Sequence, residues 1–239
     1  MVILRATTQL KLRQSPGYNG PTLGYLRPDT LVYAVGGFAE ADGLTWLNVA
    51  GPCEDGTWYA GWCAGGQDGQ VYLAGYELPG FNLDFPLAYP IPITQLFGEN
   101  PAVYASLGYA GHNGLDFGCA VGTPVIAIDS GKVTHARTDP SGYGNYVRID
   151  HPWGVTLYAH LSRLQVSEGD WLNRGMVIGQ SGNTGFSSGA HLHFELRLFP
   201  TNDSNGFGGR IDPLPFLPKD KLLLPGYMPE ALRELLGKP

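Results

Sequence analysis

The sequence predicts an all-β protein. Glycine and proline are abundant, with 35 and 19 residues, and charged residues make up only 15% of the 239 positions. Short runs rich in β-branched and aromatic residues alternate with stretches that contain Gly, Pro, Asn or Asp, a pattern typical of short strands joined by tight turns. We therefore expect a small barrel, then a larger and mainly antiparallel sheet domain, and finally a short C-terminal helix.

The N-terminal part of the chain, residues 1–78, carries four strand-like runs: Leu10–Arg13, Leu31–Val35, Thr45–Val49 and Val71–Ala74. This segment resembles bacterial SH3-like domains through Leu10–Pro16, Leu23–Leu26, Trp46–Val49 and Ala60–Trp62. The resemblance implies a module that binds the cell wall. The alternative is a barrel that only packs against its neighbour or shields a site, because a fold alone does not establish a function.

Three further segments complete the predicted domain organisation. Residues 79–95 contain several prolines and few charges, as expected of a stiff, extended linker. Residues 96–217 carry closely spaced turn signals and short strands, and are expected to form the second domain. In the tail, residues 218–239, Pro229 precedes a run of helix formers that ends at Gly237, which predicts the short helix.

Composition and charge argue against two classes of partner. The net charge is −6 and no cluster of Lys or Arg is present, so nucleic acid is not an expected partner. The longest apolar runs, such as Val125–Ile128, are far too short to span a bilayer, and no membrane association is expected. We expect a monomer.

The three cysteines are too few for a disulfide framework and leave at least one thiol unpaired. Cys53 and Cys63 could form a local bridge, although their spacing alone does not establish one. Cys119 lies an odd number of positions after Asp116, so on a continuing strand it would face the other way and serve as a small buried hydrophobic residue.

The stretch from Ser188 to Arg197 alternates apolar and ionisable residues with period two, which predicts a strand with one buried face. His191, His193 and Glu195 then share the other face. Two imidazoles on a rigid strand can present nitrogen ligands to a metal ion. The alternative is a histidine pair on a solvated sheet face.

Other candidate ligands lie earlier in the second domain. His112 and Asp116 are four residues apart, which would place them on one face of a strand, and His160 lies near the end of the run Leu157–Leu161. Three neutral or anionic ligands plus a water form an open, catalytic zinc site, whereas a closed structural site ordinarily uses four ligands. Two histidines would then remain to move a proton and to stabilise the tetrahedral intermediate.

These motifs occur in an order that closely resembles the lysostaphin-type zinc endopeptidases. The resemblance covers roughly residues 96–200, and the matching segments are Gly111–Phe117, Gly122–Val125, Gly142–Asn145, Tyr158–Leu161, Gly179–Gly185 and His191–Glu195. By position it implies that zinc is bound by His112, Asp116 and the second histidine of the pair, His193. It assigns the catalytic roles to His160 and His191. Ala190 stands where the family often has proline.

The resemblance implies a zinc-dependent endopeptidase that cleaves peptide bonds in the stems or cross-bridges of bacterial peptidoglycan, with a metal-activated water as nucleophile. The SH3-like domain would hold the enzyme on the cell wall. Two alternatives are a non-catalytic wall-binding or activator protein, and a zinc D-alanyl carboxypeptidase or amidase. Because Met1 directly precedes the first predicted strand without a visible signal peptide, a phage-type lysin released from the cytoplasm is favoured over a secreted enzyme whose leader was removed.

Several neighbouring residues leave more than one interpretation open. Glu195 could accept a hydrogen bond from a ligand imidazole, or it could be a surface carboxylate. Either Tyr104 or Tyr109 could donate to an oxyanion. His151 is interpreted as a turn residue.

Overall fold

Antiparallel strands dominate the computed structural model, which describes residues 2–77 and 83–236. Two compact units are distinguished: Met1–Pro79 with Gly98–His112 and Gly226–Pro239, and Gly80–Phe97 with Asn113–Pro225. The all-β prediction is confirmed. The first residues of the predicted linker, 79–82, lie outside the described part of the chain.

In the first unit, seven strands form one antiparallel sheet in the order β3-β2-β6-β5-β4-β1-β9, and β7 pairs with β8. The bounds are Ile3–Ala6 (β1), Leu10–Arg13 (β2), Thr22–Leu26 (β3), Leu31–Ala41 (β4), Leu44–Pro52 (β5), Trp58–Ala64 (β6), Gly66–Gln67 (β7), Gln70–Val71 (β8) and Leu73–Tyr76 (β9). Leu10 and Leu12 are buried while Lys11 between them is exposed, as the period of a strand requires. Assignment of this sheet to the SH3-like class stays a prediction.

Short helices also belong to the first unit. Pro101–Tyr104 (α1) is followed by a 3₁₀ turn at Ala105–Leu107, and Glu230–Leu236 forms α2. The helix predicted near the C-terminus is therefore present, and its buried side chains are Leu232 and Leu236. None of the helices in residues 2–77 and 83–236 is long and apolar enough to cross a membrane.

The second unit contains a seven-stranded antiparallel sheet in the order β10-β11-β19-β15-β14-β13-β17 and a three-stranded sheet, β12-β18-β16. The bounds are Ile93–Gln95 (β10), Leu115–Phe117 (β11), Pro124–Ile126 (β12), Gly131–Asp139 (β13), Gly144–His151 (β14), Gly154–Leu161 (β15), Arg163–Leu164 (β16), Trp171–Leu172 (β17), Val177–Gln180 (β18) and Leu192–Leu198 (β19). Two 3₁₀ turns follow at Leu214–Phe216 and Lys219–Lys221.

One face of β19 packs into the core of this unit. Phe194 is fully buried and lies 5.3 Å, between ring centroids, from the buried Tyr158 of β15. His193 on the opposite face is paired in register with Asp116 of β11 on one side and with Ala159 of β15 on the other. Because β19 lies between these two strands, it brings His193 next to Asp116.

The part of the predicted linker that the structure describes packs on the second unit. Phe85 is fully buried and contacts Phe117 edge to face, with ring centroids 5.3 Å apart. Leu83 and Leu87 are also buried, and Leu87 forms a β-bridge with Val125. Residues 83–95 therefore contribute to the core of the second unit.

All three thiols are free and buried. Burial raises the pKa of both Cys53 and Cys63 to about 12, and no bridge joins them. Cys119 is 4% exposed, in agreement with its interpretation as a buried hydrophobic residue.

The interpretation of His151 as a turn residue is wrong. His151 is the last residue of β14 and is buried, and its ring stacks on Trp153 with centroids 4.5 Å apart. Its Nδ1 donates to the carbonyl oxygen of Ser130 at 2.8 Å, and its Nε2 lies 2.9 Å from the Thr156 hydroxyl. The turn begins one residue later, at Pro152.

Candidate metal centre

Three of the predicted ligands lie together. One potential ligand atom from each of His112, Asp116 and His193 lies within 4.8 Å of the others, and all three side chains are buried. The Nδ1 atom of His193 is 2.9 Å from Oδ1 of Asp116. Two imidazoles and one carboxylate are the donor set of an open zinc site, in which the fourth position takes water or substrate.

His112 reaches this centre in a different way from that predicted. A continuous strand from His112 to Asp116 was expected, but β11 begins only at Leu115. His112 is held instead by backbone pairing: its amide donates to the carbonyl of Glu99, and its carbonyl accepts from the amide of Gly98, both at 2.8 Å. The ring of Tyr104 lies 5.3 Å from the His112 ring.

Glu195 lies behind His193 and is 2% exposed, so it is not a surface carboxylate. Its Oε1 atom lies 3.3 Å from Nε2 of His193 and accepts hydrogen bonds at 2.6 Å from both Asn113 and Tyr143. Its Oε2 accepts from Nε of Arg210 at 2.8 Å. A carboxylate on the outer nitrogen of a metal-ligating histidine fixes the orientation of the ring and raises its basicity.

The charges of this cluster stabilise one another. Burial alone would raise the pKa of Glu195, but hydrogen bonding from His193 and the Arg210 charge outweigh it and hold the pKa well below its usual range. Burial likewise opposes protonation of His193, yet its hydrogen bonds to Asp116 and Glu195 raise its pKa. His193 is thus strongly polarised by two carboxylates, which favours cation binding at this position.

His160 adopts an unusual backbone conformation, with φ of 61°. The β14–β15 register shifts between Asn145 and Val147, and the His160 amide donates to the carbonyl of Tyr143 at 2.8 Å. Left-handed conformations are uncommon outside glycine and cluster at functional sites. Here the bulge and the left-handed residue interrupt the alternation of β15, and the His160 ring lies 5.8 Å from that of His193.

The hydrogen bonding of His160 defines its tautomer. Its Nδ1 lies 2.8 Å from the carbonyl oxygen of Thr184, which can only accept, so Nδ1 carries the proton in the neutral ring. Burial, followed by the neighbouring His193 and His191, lowers the pKa of His160 to about 4. A neutral His160 therefore has a free electron pair on Nε2.

His191 lies beside His160, with ring centroids 4.6 Å apart. Its Nδ1 donates to the carbonyl oxygen of Gly189 at 2.8 Å and lies 3.2 Å from the Ser187 hydroxyl. Its Nε2 is 3.6 Å from Oδ2 of Asp116. All five residues singled out in the sequence are thus gathered at one centre, with Nε2 of His191 directed at the carboxylate of a predicted ligand.

Two glycines hold the loop that carries Thr184. Gly185 has φ of 73°, and a Cβ atom there would lie 2.2 Å from the backbone nitrogen of Gly144. Gly144 has φ of 62°, and a Cβ there would lie 2.3 Å from the Thr184 hydroxyl. Only glycine permits this close approach of the two backbones, which sets the carbonyl that His160 contacts.

The sequence did not single out four residues that support the centre: Asn113, Tyr143, Thr184 and Arg210. Asn113, Tyr143 and Thr184 lie inside the motifs that carry the family resemblance. Their position in those motifs could have identified them as residues close to the centre. Arg210 lies outside them, and only its 2.8 Å ion pair with the buried Glu195 shows its role.

Part of the chain is similar to known proteins. Residues 110–209 match the model of Peptidase family M23. Lysostaphin of Staphylococcus staphylolyticus is 41% identical over 108 residues, which are 44% of this chain and 22% of the relative. The DD-carboxypeptidase/endopeptidase Mpg of Neisseria meningitidis serogroup B is 42% identical over 135 residues, 55% of this chain and 29% of the relative.

Lysostaphin is also among the solved structures to which part of this chain is similar. The structure of lysostaphin from Staphylococcus simulans matches with a TM-score of 0.45 and 34% sequence identity. The match covers 53% of this chain and 48% of the lysostaphin chain. The chain spans less than a third of the length of the two curated relatives above. The family match includes His112, Asp116, His160, His191 and His193. Over residues 110–209 the chain is therefore similar to Peptidase family M23, a family of zinc-dependent metallopeptidases.

Proposed function

We propose that the protein is a zinc-dependent endopeptidase that cleaves peptide bonds in bacterial peptidoglycan. The observation that carries this proposal is the complete buried set of His112, Asp116 and His193 beside two further histidines. A non-catalytic relative would be expected to lack a ligand or one of the two additional imidazoles, and this chain has all five.

Each residue has a distinct part in the proposed reaction. His112, Asp116 and His193 would hold the zinc ion, and Glu195 would keep the His193 ring in its ligating orientation. A zinc ion bound there supplies a Lewis acid that polarises the scissile carbonyl and lowers the pKa of a bound water.

The two other histidines differ in their surroundings. His160 is neutral and has Nδ1–H bound to the Thr184 carbonyl, so its Nε2 is suited to accept the proton of the attacking water. His191 has Nε2 3.6 Å from the Asp116 carboxylate, beside the proposed ligands, and we assign to it the stabilisation of the negative charge that develops on the tetrahedral intermediate.

Peptidoglycan is proposed as the substrate because a relative named for peptidoglycan cleavage shares this region. ShyA of Vibrio cholerae, called a peptidoglycan DD-endopeptidase, is 39% identical over 132 residues, 54% of this chain and 30% of its own length. The relatives differ in the bond that their names specify. Cell-wall binding by the first unit, and action at the wall after release as a phage-type lysin, are part of the same proposal.

The test is digestion of purified peptidoglycan by the zinc-loaded full chain, with mass spectrometry of the soluble fragments. New amine and carboxyl termini within stems or cross-bridges would support the endopeptidase. Release of terminal D-alanine alone would indicate a carboxypeptidase, and cleavage between glycan and peptide would indicate an amidase.

Two variants test the assignment of roles. His193→Ala should lose both bound zinc and activity, whereas His191→Ala should retain zinc and lose turnover, with metal content measured by inductively coupled plasma mass spectrometry. His135→Ala, which changes a histidine on β13, should retain zinc. A zinc-free preparation that still digests peptidoglycan would refute the proposal.

A further inference from the structure

A pocket of about 190 Å³ lies on the face of the large sheet that also carries His193. In β19, Glu195 and Arg197 follow His193 at steps of two and so share its face. The register pairs Glu195 with Leu157 of β15, and Leu157 with Arg148 of β14. The pocket, here called the arginine pocket, is lined chiefly by His135, Tyr143, Tyr146, Arg148, Arg197 and Arg210.

The charges around the arginine pocket do not balance. Arg210 forms an ion pair with Glu195, with Nε 2.8 Å from Oε2. Arg148 forms one with Asp150, with Nε 3.1 Å from Oδ1. The side chain of Arg197 is partly buried and makes no hydrogen bond or ion pair to any residue in the described ranges 2–77 and 83–236. A chain with a net charge of −6 therefore gathers three arginines at one pocket, with Glu195 as the one carboxylate among the lining residues.

The surroundings of Arg197 favour an anion. Burial, together with the charges of Arg210 and Arg148, lowers the pKa of its guanidinium, which reflects a positive charge that is poorly solvated and repelled by its neighbours. Arginine offers a planar pair of donors that matches a carboxylate. Tyr143 and Tyr146 line the same pocket, together with the apolar side chains of Val155 and Leu157.

We propose that the arginine pocket is a substrate subsite that binds a carboxylate of the peptide being cleaved. The proposal rests on the proposed endopeptidase function and specifies its substrate. With a rise of about 3.3 Å per residue, Glu195 and Arg197 lie roughly 7 and 13 Å along β19 from the ligand His193. An extended substrate on this face therefore carries its carboxylate about two to four residues from the scissile bond.

The test uses two synthetic peptides that contain the bond identified in the peptidoglycan digest and differ in one group, a carboxylate or its amide, two to four residues from that bond. The zinc-loaded full chain should cleave the carboxylate peptide with a kcat/KM about 10-fold to 100-fold higher, as expected for charge-assisted hydrogen bonds. Arg197→Gln should remove this preference, so that the two peptides are cleaved with similar kcat/KM values. Thermal unfolding of the variant, compared with that of the unaltered protein, reports that it is folded.

Two further variants sharpen the result. Arg163→Gln removes the same charge from an exposed arginine of β16 and should keep the full preference. Arg197→Lys keeps the charge without the planar pair of donors and should retain only part of it. Equal kcat/KM values for the two peptides in the unaltered protein, or an undiminished preference in Arg197→Gln, would overturn the proposal.

A separate binding measurement distinguishes failure of the subsite from failure of the function. Calorimetric titration of the same peptides into the zinc-loaded His191→Ala variant measures the carboxylate preference without turnover. If the unaltered protein cleaves no peptide, the endopeptidase proposal fails. The subsite is still supported if the His191→Ala variant binds the carboxylate peptide more tightly and the additional substitution Arg197→Gln removes that preference. Equal binding of both peptides would refute the subsite whether or not cleavage occurs.

Discussion

Replacement of Arg210 by methionine should strongly destabilise the second unit. The side chains of Arg210 and Glu195 are 7% and 3% exposed, and Nε of Arg210 lies 2.8 Å from Oε2 of Glu195. Methionine fills much of the same volume but removes the charge. The carboxylate of Glu195 would then remain buried without its cation, which is the costly way to break a buried pair.

The size of the effect follows from what Glu195 keeps. Removal of one partner of a buried ion pair costs about 3–5 kcal/mol. Glu195 retains its contacts with Asn113, Tyr143 and His193 in the Arg210→Met variant, so we expect the lower end, about 3 kcal/mol. For a unit of this size such a change lowers the Tm by about 6–12 °C.

The measurement is urea and thermal unfolding of the full chain with saturating zinc. Arg163→Met removes an exposed arginine from the same unit and should change the free energy of unfolding by no more than about 0.5 kcal/mol. The double variant Glu195→Gln with Arg210→Met removes both charges, so its loss should be smaller than the sum of the two single losses by about 1–3 kcal/mol. Strictly additive losses, or an Arg210→Met loss equal to that of the control, would refute the reasoning.

Three other predictions follow from the structure. Gly185→Ala should lower the free energy of unfolding by about 2–4 kcal/mol, because the position combines a left-handed backbone with a clash between the added Cβ and the backbone of Gly144. The control Gly169→Ala, with φ of 94° and open space around the added Cβ, should lower it by only about 1 kcal/mol. Equal losses in the two variants would contradict this. Glu195→Gln should weaken zinc binding about 10-fold to 100-fold in a competitive chelator titration, because His193 loses a carboxylate partner; an unchanged affinity would exclude that role. Burial lowers the pKa of His151 in the folded protein, so the unfolded chain binds the extra proton first as the pH falls. The free energy of unfolding should therefore decrease as the pH drops through about 6.5. His151→Gln should make this decrease smaller between about pH 7 and pH 5 in unfolding experiments, and an unchanged pH dependence would contradict the prediction.

Local patterns predicted the strand that carries the histidine pair. Alternation with period two places His193 and Glu195 on one face because Leu192, Phe194 and Leu196 fill the core on the other. The same rule failed for His112, since the segment before Leu115 is not a strand. His112 is positioned by pairing with Gly98 and Glu99, more than ten residues earlier, and such pairing leaves no local signal in the sequence.

Two features of the centre depend on the fold and could not be read from spacing. Ala159 pairs with His193, so the two residues share one face of the sheet. Regular alternation would therefore place His160, the next residue, on the opposite face. The left-handed conformation of His160 overrides that alternation. Likewise, the buried Glu195 is paired with Arg210, which lies fifteen positions later, and no local pattern in the sequence indicates that pairing.

The buried thiols have a practical consequence for both folding and experiment. Cys53, Cys63 and Cys119 are the three cysteines of the sequence and none is bridged, so the protein can be unfolded and refolded with a reductant present throughout. Because burial also suppresses the thiolate in all three, a cysteine introduced on the surface would be the preferred site of modification. A spin label or fluorophore attached beside the arginine pocket could then report on peptide binding in the otherwise unaltered protein.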